Sequence, residues 1–201
     1  MARFPYFERL SAAEKRIYIR SDELREVKVP DAPALHALVR VLEEALEAGK
    51  RVRTAKAANA LVRALCKQLR APVVRVRVRE VRPSWESGEL HGQYTFDQGD
   101  GEPPEIEVWM RTVAHKRVVK FRTFLRTLLH EVVHHLDATI YEMKESFHTQ
   151  GFFARESSLF RQLMAESESE SESEAETETE SAQLSLFDVK EPARRRARRG
   201  G

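Results

Sequence analysis

The strongest constraint on the fold is a long apolar segment that carries two histidines and a glutamate. Large apolar residues recur at helical spacing over residues 120–141, which predicts a helix of about six turns. Within it, the motif His130-Glu131-Val132-Val133-His134 places two imidazoles four residues apart, on one face of the helix. Two such imidazoles can bind one tetrahedral zinc ion, and Glu131 beside them can act as a catalytic general base.

The whole segment 31–165 is predicted to be α+β. Apolar residues recur with a helical period over residues 31–49, 54–70 and 152–164. Valine and arginine alternate over residues 74–79, which predicts a half-buried strand, and two more strands are predicted near residues 90–97 and 105–110. The predicted order is helix, helix, three strands, helix, helix, so a small three-stranded sheet precedes the metal-binding helix. Residues 1–30 show no clear pattern and are treated as an N-terminal extension.

The sequence leaves the third metal ligand open. A catalytic zinc site needs three protein ligands and one position for water. His148 is the first candidate, because it lies in a predicted turn between two helices that could fold back on the metal-binding helix. Asp137 shares a helix face with the motif histidines, but three ligands from one straight helix would strain a tetrahedron, so we expect it to orient an imidazole instead. Glu142 and Glu145 are the remaining candidates, and His135 is expected at the surface.

Charged residues are unevenly distributed along the chain. Residues 1–165 hold 28 basic and 22 acidic side chains, a net charge of +6, whereas eight glutamates fall within residues 166–180. A basic domain suits a polyanionic partner such as DNA, and Arg75, Arg77 and Arg79 on one strand face are candidate contacts. The same arginines could instead protect an edge strand from aggregation. The single cysteine, Cys66, is predicted to be a core residue of a protein in a reducing compartment.

Three segments follow the domain. In residues 166–182 glutamate alternates with serine and threonine, which predicts a disordered acidic linker, because so few apolar residues cannot offset the entropy of ordering. Residues 183–187, Gln183-Leu184-Ser185-Leu186-Phe187, place three large apolar side chains in a polar tail, which favours a docking peptide over a segment that folds back on the domain. Residues 188–201 form a basic tail that either binds phosphates without sequence preference or serves only solubility; its arginines are Arg194, Arg195, Arg196, Arg198 and Arg199.

Two of these patterns resemble known families. The motif at 130–134, followed by His148-Thr149-Gln150-Gly151-Phe152 and an amphipathic helix, resembles the SprT-like metallopeptidases, which include the Spartan proteases of DNA–protein crosslinks. The resemblance covers roughly residues 30–165. It implies a minimal zincin fold, a third zinc ligand at His148 with an aromatic residue four positions beyond it, and proteolysis of proteins bound to DNA. Thr149 stands where many members have glycine. The pentapeptide 183–187 resembles the motif with which bacterial DNA polymerases and repair proteins bind the sliding clamp.

Together these patterns predict a zinc endopeptidase that cuts proteins trapped on DNA and is recruited to the sliding clamp. We expect it in the cytoplasm, on the nucleoid when clamp-bound and not in a membrane, because no apolar run reaches membrane-spanning length. Two other functions stay open. One is a zinc peptidase with a regulatory protein substrate and no DNA role, and the other is a clamp- and DNA-binding adaptor with a structural zinc site. The intact Glu131 favours an enzyme, since a structural site needs no base.

Overall fold

A computed structural model describes residues 4–85, 88–96 and 103–165. The described residues up to Met164 belong to one compact unit. The acidic linker 166–182, the pentapeptide 183–187 and the basic tail 188–201 lie outside the described residues. No helix in the described part of the chain is both long and apolar enough to cross a membrane.

The N-terminal segment is folded and belongs to the same compact unit. It consists of a 3-10 helix, Pro5–Arg9, and helix α1, Ala12–Glu23. A reciprocal capping box starts α1: the Ser11 hydroxyl accepts a hydrogen bond from Glu14 N, and the Glu14 carboxylate accepts one from Ser11 N. Tyr18 on α1 is fully buried. The segment treated above as an extension therefore packs as part of the fold.

Helices α2, Pro33–Glu47, and α3, Arg51–Leu69, follow the predicted boundaries within a few residues. Pro33 fits the first turn of α2, where a backbone N–H is not needed, and Gly49 at φ +63° lets the chain reverse between the two helices. The two helices pack on each other through fully buried leucines. Cys66 on α3 is buried, as predicted.

The main sheet has three strands in the order β1-β5-β4. Strand β1 is Arg75–Val81, β4 is Gly92–Thr95 and β5 is Glu105–Arg111. Strand β5 lies in the middle, parallel to β1 and antiparallel to β4. A separate two-stranded ribbon, β2 Ser84–Trp85 and β3 Gly88–Glu89, was not predicted. The predicted α+β class and three-stranded sheet are confirmed, and β4 is an outer strand of that sheet.

Helix α4, Phe121–Thr139, contacts β4 and β5 and carries the histidine motif. Its apolar residues are almost completely buried, which fixes the rotation of the helix and therefore the direction of its polar side chains. Residues 150–165 form the last helix, α5. The chain between α4 and α5 reverses through Glu142 at φ +48° and brings α5 back towards α4.

Candidate metal centre

Three histidine rings converge at one point between α4 and the start of α5. His148 Nε2 lies 3.0 Å from His130 Nε2 and 3.1 Å from His134 Nε2. Within the described residues these three form the group whose ligand atoms all lie close enough, within 4.8 Å of one another, to share a metal ion. Asp137, Glu142 and Glu145, the other candidates for the third ligand, are not part of it. The turn before α5 brings His148 back to α4.

Glu156 on α5 fixes the orientation of the His130 ring. Its Oε2 lies 2.9 Å from His130 Nδ1, and its Oε1 accepts a hydrogen bond of 2.9 Å from Arg126 Nη1. Burial raises the pKa of Glu156, but the hydrogen bonds from His130 and Arg126 outweigh it and hold that pKa below its ordinary value. An ionised carboxylate only accepts, so His130 donates this hydrogen bond from Nδ1, which leaves Nε2 as the ring nitrogen that can bind a metal ion. Glu156 was not predicted as a site residue, because it belongs to no sequence motif.

Asp137 acts on His134 through Ser146. His134 Nδ1 lies 2.8 Å from Ser146 Oγ, and Ser146 Oγ donates a hydrogen bond of 2.8 Å to Asp137 Oδ2. A hydroxyl has one proton, which goes to Asp137, so the bond from His134 must be donated by its Nδ1. Because burial lowers the pKa of His134 and keeps its ring neutral, the Nε2 atom of His134 is then unprotonated. Asp137 is thus placed to orient an imidazole rather than to bind the metal directly.

The donor set fits zinc. The Nε2 atoms of His130 and His134 both face His148 Nε2, and that atom carries at most one proton for both contacts. A shared cation satisfies all three nitrogens at once. In a tetrahedral site with zinc–nitrogen bonds of about 2.0–2.1 Å, two ligand nitrogens lie about 3.3 Å apart. The Nε2–Nε2 distances of 3.0 and 3.1 Å to His148 are close to that value. Burial, with the neighbouring His130 and His148 rings and Arg155, lowers the pKa of His134 to about 3, which keeps the ring neutral as a metal ligand must be.

Glu131 lies beside this point with its carboxylate buried. Burial raises its pKa to about 7, the His130 ring lowers it and Glu156 raises it. The backbone of Gly92 on β4 passes directly over this side chain, and a β-carbon at position 92 would lie 2.9 Å from Glu131 Cγ and closer still to Oε1. Gly92 therefore provides the space that the Glu131 carboxylate occupies.

Phe152 supports the three histidines from the protein side. Its fully buried ring has its centroid 4.8 Å from that of His130, 4.7 Å from that of His134 and 4.9 Å from that of His148. Thr149 caps α5, because its hydroxyl accepts a hydrogen bond of 3.0 Å from Phe152 N. Thr149 therefore fixes the start of α5 and places Phe152 under the rings.

The N-terminal segment holds the loop that carries His148. The buried Arg155 side chain donates to Asp137 Oδ1 at 2.9 Å, to Ser21 O at 2.7 Å and to Leu24 O. Tyr6 also donates a hydrogen bond of 3.3 Å to the carbonyl oxygen of His148. Because Arg155 bridges α1, α4 and α5, residues before position 31 contribute to the site, which no sequence pattern indicated.

His135 is buried, and its predicted surface position is wrong. Its ring lies within 3.1 Å of the Tyr94 hydroxyl through Nδ1 and within 2.9 Å of Pro72 O through Nε2. Both ring nitrogens have polar partners, which removes the cost of burying an imidazole among apolar residues. The sequence pattern predicted an exposed side chain at position 135 because histidine is polar. A histidine whose two ring nitrogens have hydrogen-bond partners can nevertheless occupy a core position.

The three arginines predicted as DNA contacts lie on β1 and are paired across the sheet. Arg75 Nε and Arg77 Nε lie 2.6 and 2.7 Å from Glu105 Oε2, and Arg79 Nη2 lies 2.5 Å from Glu107 Oε1. The glutamates of β5 therefore offset the positive charge of this strand face. The predicted clamp contacts at 183–187 and the arginines at 194–199 lie outside the described residues.

Comparison of the chain with models of known protein families, with curated proteins and with solved structures gave no significant match.

Proposed function

We propose that this chain is a zinc-dependent endopeptidase with a minimal zincin fold of the SprT-like kind. The observation that carries the proposal is the convergence of the Nε2 atoms of His130 and His134 on His148 Nε2, with the Glu131 carboxylate beside them. The zinc would be held by His130, His134 and His148. When bound, it would act as a Lewis acid that activates water and polarises the peptide carbonyl. A fourth position remains for water, as a catalytic site needs.

Glu131 is the proposed general base. Its carboxylate takes a proton from the attacking water, and the remaining hydroxyl oxygen adds to the carbonyl carbon of the peptide bond. The same proton then passes from Glu131 to the leaving amine nitrogen as the carbon–nitrogen bond breaks. The products are a carboxylic acid and an amine, and Glu131 ends in its starting state. A pKa near 7 suits a group that both accepts and returns a proton.

We propose DNA-bound proteins as substrates, and a basic surface near the end of β1 supports DNA binding. Arg111 donates hydrogen bonds to Lys116 O at 3.0 Å and to Gly49 O at 3.3 Å, so it holds the loop before α4 next to the start of α3. The exposed basic side chains gathered there are Lys50, Arg51, Arg53, Lys116, Arg117 and Lys120. Glu80 pairs with Arg51 and with Arg111. Such a cluster fits phosphate binding better than the β1 arginines, whose charge β5 offsets.

The test uses the zinc-loaded full chain and a protein bound to DNA, with and without DNA and a chelator. We expect fragments that depend on zinc, that increase with DNA and that are absent with Glu131→Gln. Equal cleavage with and without DNA would point instead to a peptidase with a regulatory substrate. DNA and clamp binding without any fragments would point to an adaptor.

A second experiment tests the proposed DNA surface. The double substitution Lys116→Glu with Arg117→Glu should weaken DNA binding more than Arg77→Glu does.

A further inference from the structure

The metal centre lies between two surface grooves, and Glu131 lines both of them. The first, of about 470 Å³, also contains Gly92 and His130, and we call it the arginine groove. The second, of about 670 Å³, also contains Tyr94 and His134, and we call it the aromatic groove. Strand β4 thus runs from the arginine groove towards the aromatic groove.

Two arginines line the first groove, one helical turn apart on α4. The guanidinium carbons of Arg122 and Arg126 lie 5.1 and 4.4 Å from the centroid of the Phe160 ring, which keeps both side chains against the groove wall. The neighbouring carboxylate of Glu156 is buried and already bonded to Arg126 and His130. Among the described residues that line this groove, both acids, Glu131 and Glu156, are buried, so a substrate carboxylate would meet the two guanidinium groups.

The aromatic groove has the opposite character. Its walls include Tyr94, Phe96 and Met143, and the Phe96 side chain is 56% exposed although it is large and apolar. Two exposed glutamates, Glu142 and Glu145, lie on its rim beside a single lysine. A large apolar substrate side chain would bury these walls, whereas an acidic one would be repelled by the rim.

Strand β4 determines which part of a substrate meets which groove. It is an outer strand, with no strand on its other side among the described residues, so an extended peptide can pair with it. Antiparallel pairing is the more stable arrangement. Because β4 runs from Gly92 at the arginine groove towards Phe96 at the aromatic groove, an antiparallel peptide places residues before the cut bond over the aromatic groove. The residues after that bond then lie at the arginine groove.

We propose that the enzyme selects peptide bonds with a large apolar residue before the cut and an acidic residue after it. The inference rests on the proposed peptidase function and adds a substrate class to it. Arg122 is the specificity-determining residue to test, because Arg126 also holds Glu156 and a change there would disturb His130.

The experiment measures kcat/KM of the zinc-loaded full chain on internally quenched peptides that share a leucine before the cut. The next residue is Glu, Gln or Lys, and mass spectrometry locates the cut. We expect Glu to be preferred over Gln by about fivefold, the scale of one partly exposed ion pair, with Lys poorer still. Arg122→Glu should reverse the order of Glu and Lys. Arg63→Glu, an equal change of charge on an exposed site of α3 outside both grooves, should leave the order unchanged.

The outcomes separate the two proposals. Zinc-dependent cleavage with no preference after the cut, or a preference that Arg122→Glu leaves intact, overturns the specificity inference and leaves the peptidase standing. A preference for acidic residues before the cut overturns the antiparallel assignment. No zinc-dependent fragments from any peptide or from the DNA-bound protein overturn the peptidase itself. Arg122→Gln repeats the test with a neutral side chain of similar length and should remove the preference rather than reverse it.

Discussion

Glu156 and His130 are joined by a hydrogen bond of 2.9 Å between Oε2 and Nδ1, which ties the last helix to a proposed zinc ligand. Replacing Glu156 by Ala should weaken zinc binding about tenfold or more, the usual effect of removing a partner that orients a metal-bound imidazole. Glu156→Gln should weaken it less, because the amide oxygen can still accept the bond. Competition with a zinc-binding dye measures the change. Glu44→Gln, on an exposed site of α2, serves as the control, and equal zinc affinity in all four proteins would contradict the proposed role.

Removal of the histidines tests the composition of the metal centre. The wild-type chain should bind about one zinc, His130→Ala and His134→Ala should lose most of it, and His148→Ala should retain a reduced amount. Metal content after gel filtration gives the answer. Asp137→Asn keeps the shape of a side chain that faces Ser146 and Arg155, so it should retain more zinc than His148→Ala. The opposite ranking would make Asp137 the third ligand.

Glu131→Gln separates metal binding from catalysis. The amide fills the same space beneath Gly92 but cannot take a proton from water, so zinc content and melting temperature should stay near those of the wild type. Peptidase activity should fall by about a hundredfold to ten-thousandfold, the range that a general base contributes. Activity close to wild type in this variant would refute the mechanism.

Gly92→Ala tests the close approach of β4 to the general base. A methyl group there overlaps the Glu131 carboxylate, which must shift away from its position beside the histidines. A displacement of about 1 Å typically costs about a hundredfold in rate, and we expect that loss with zinc content retained. Metal analysis and kcat measured on the same preparation check it. Full activity would show that the carboxylate needs no fixed position under the strand.

The pentapeptide at 183–187 stays a prediction, and replacing Leu186 and Phe187 by Ala tests it. A fully buried side chain of this size contributes about 1.5–3 kcal/mol, so removing two should abolish measurable binding of a short peptide to a bacterial sliding clamp. Titration of labelled peptide 180–190 against the clamp measures this. Cleavage of free peptides by the full-length double variant should be unchanged. Binding that survives the double substitution would remove the clamp from the proposed function.

Local patterns in the sequence determined most of the helices and strands of this fold and two of the three histidines of the site. Helical spacing of apolar residues predicted α2, α3 and α4, and alternation of valine and arginine predicted β1, because these periods follow directly from backbone geometry. The spacing of His130 and His134 followed from the same geometry. His148 was one of several candidates, since a turn between two helices does not by itself specify where its side chains point.

Tertiary structure alone decided what surrounds those residues. Glu156 contacts His130 across 26 residues, Ser146 contacts His134 across 12, and Arg155 contacts Asp137 across 18. No local period encodes such contacts. The strand order β1-β5-β4 placed Glu105 and Glu107 against the β1 arginines and brought Gly92 over Glu131. The prediction for His135 was wrong for the same reason. Whether a polar ring can be buried depends on hydrogen-bond partners from distant segments, here Tyr94 and Pro72. A sequence specifies its helices and strands locally, whereas hydrogen-bond partners in the core are determined only when those elements pack.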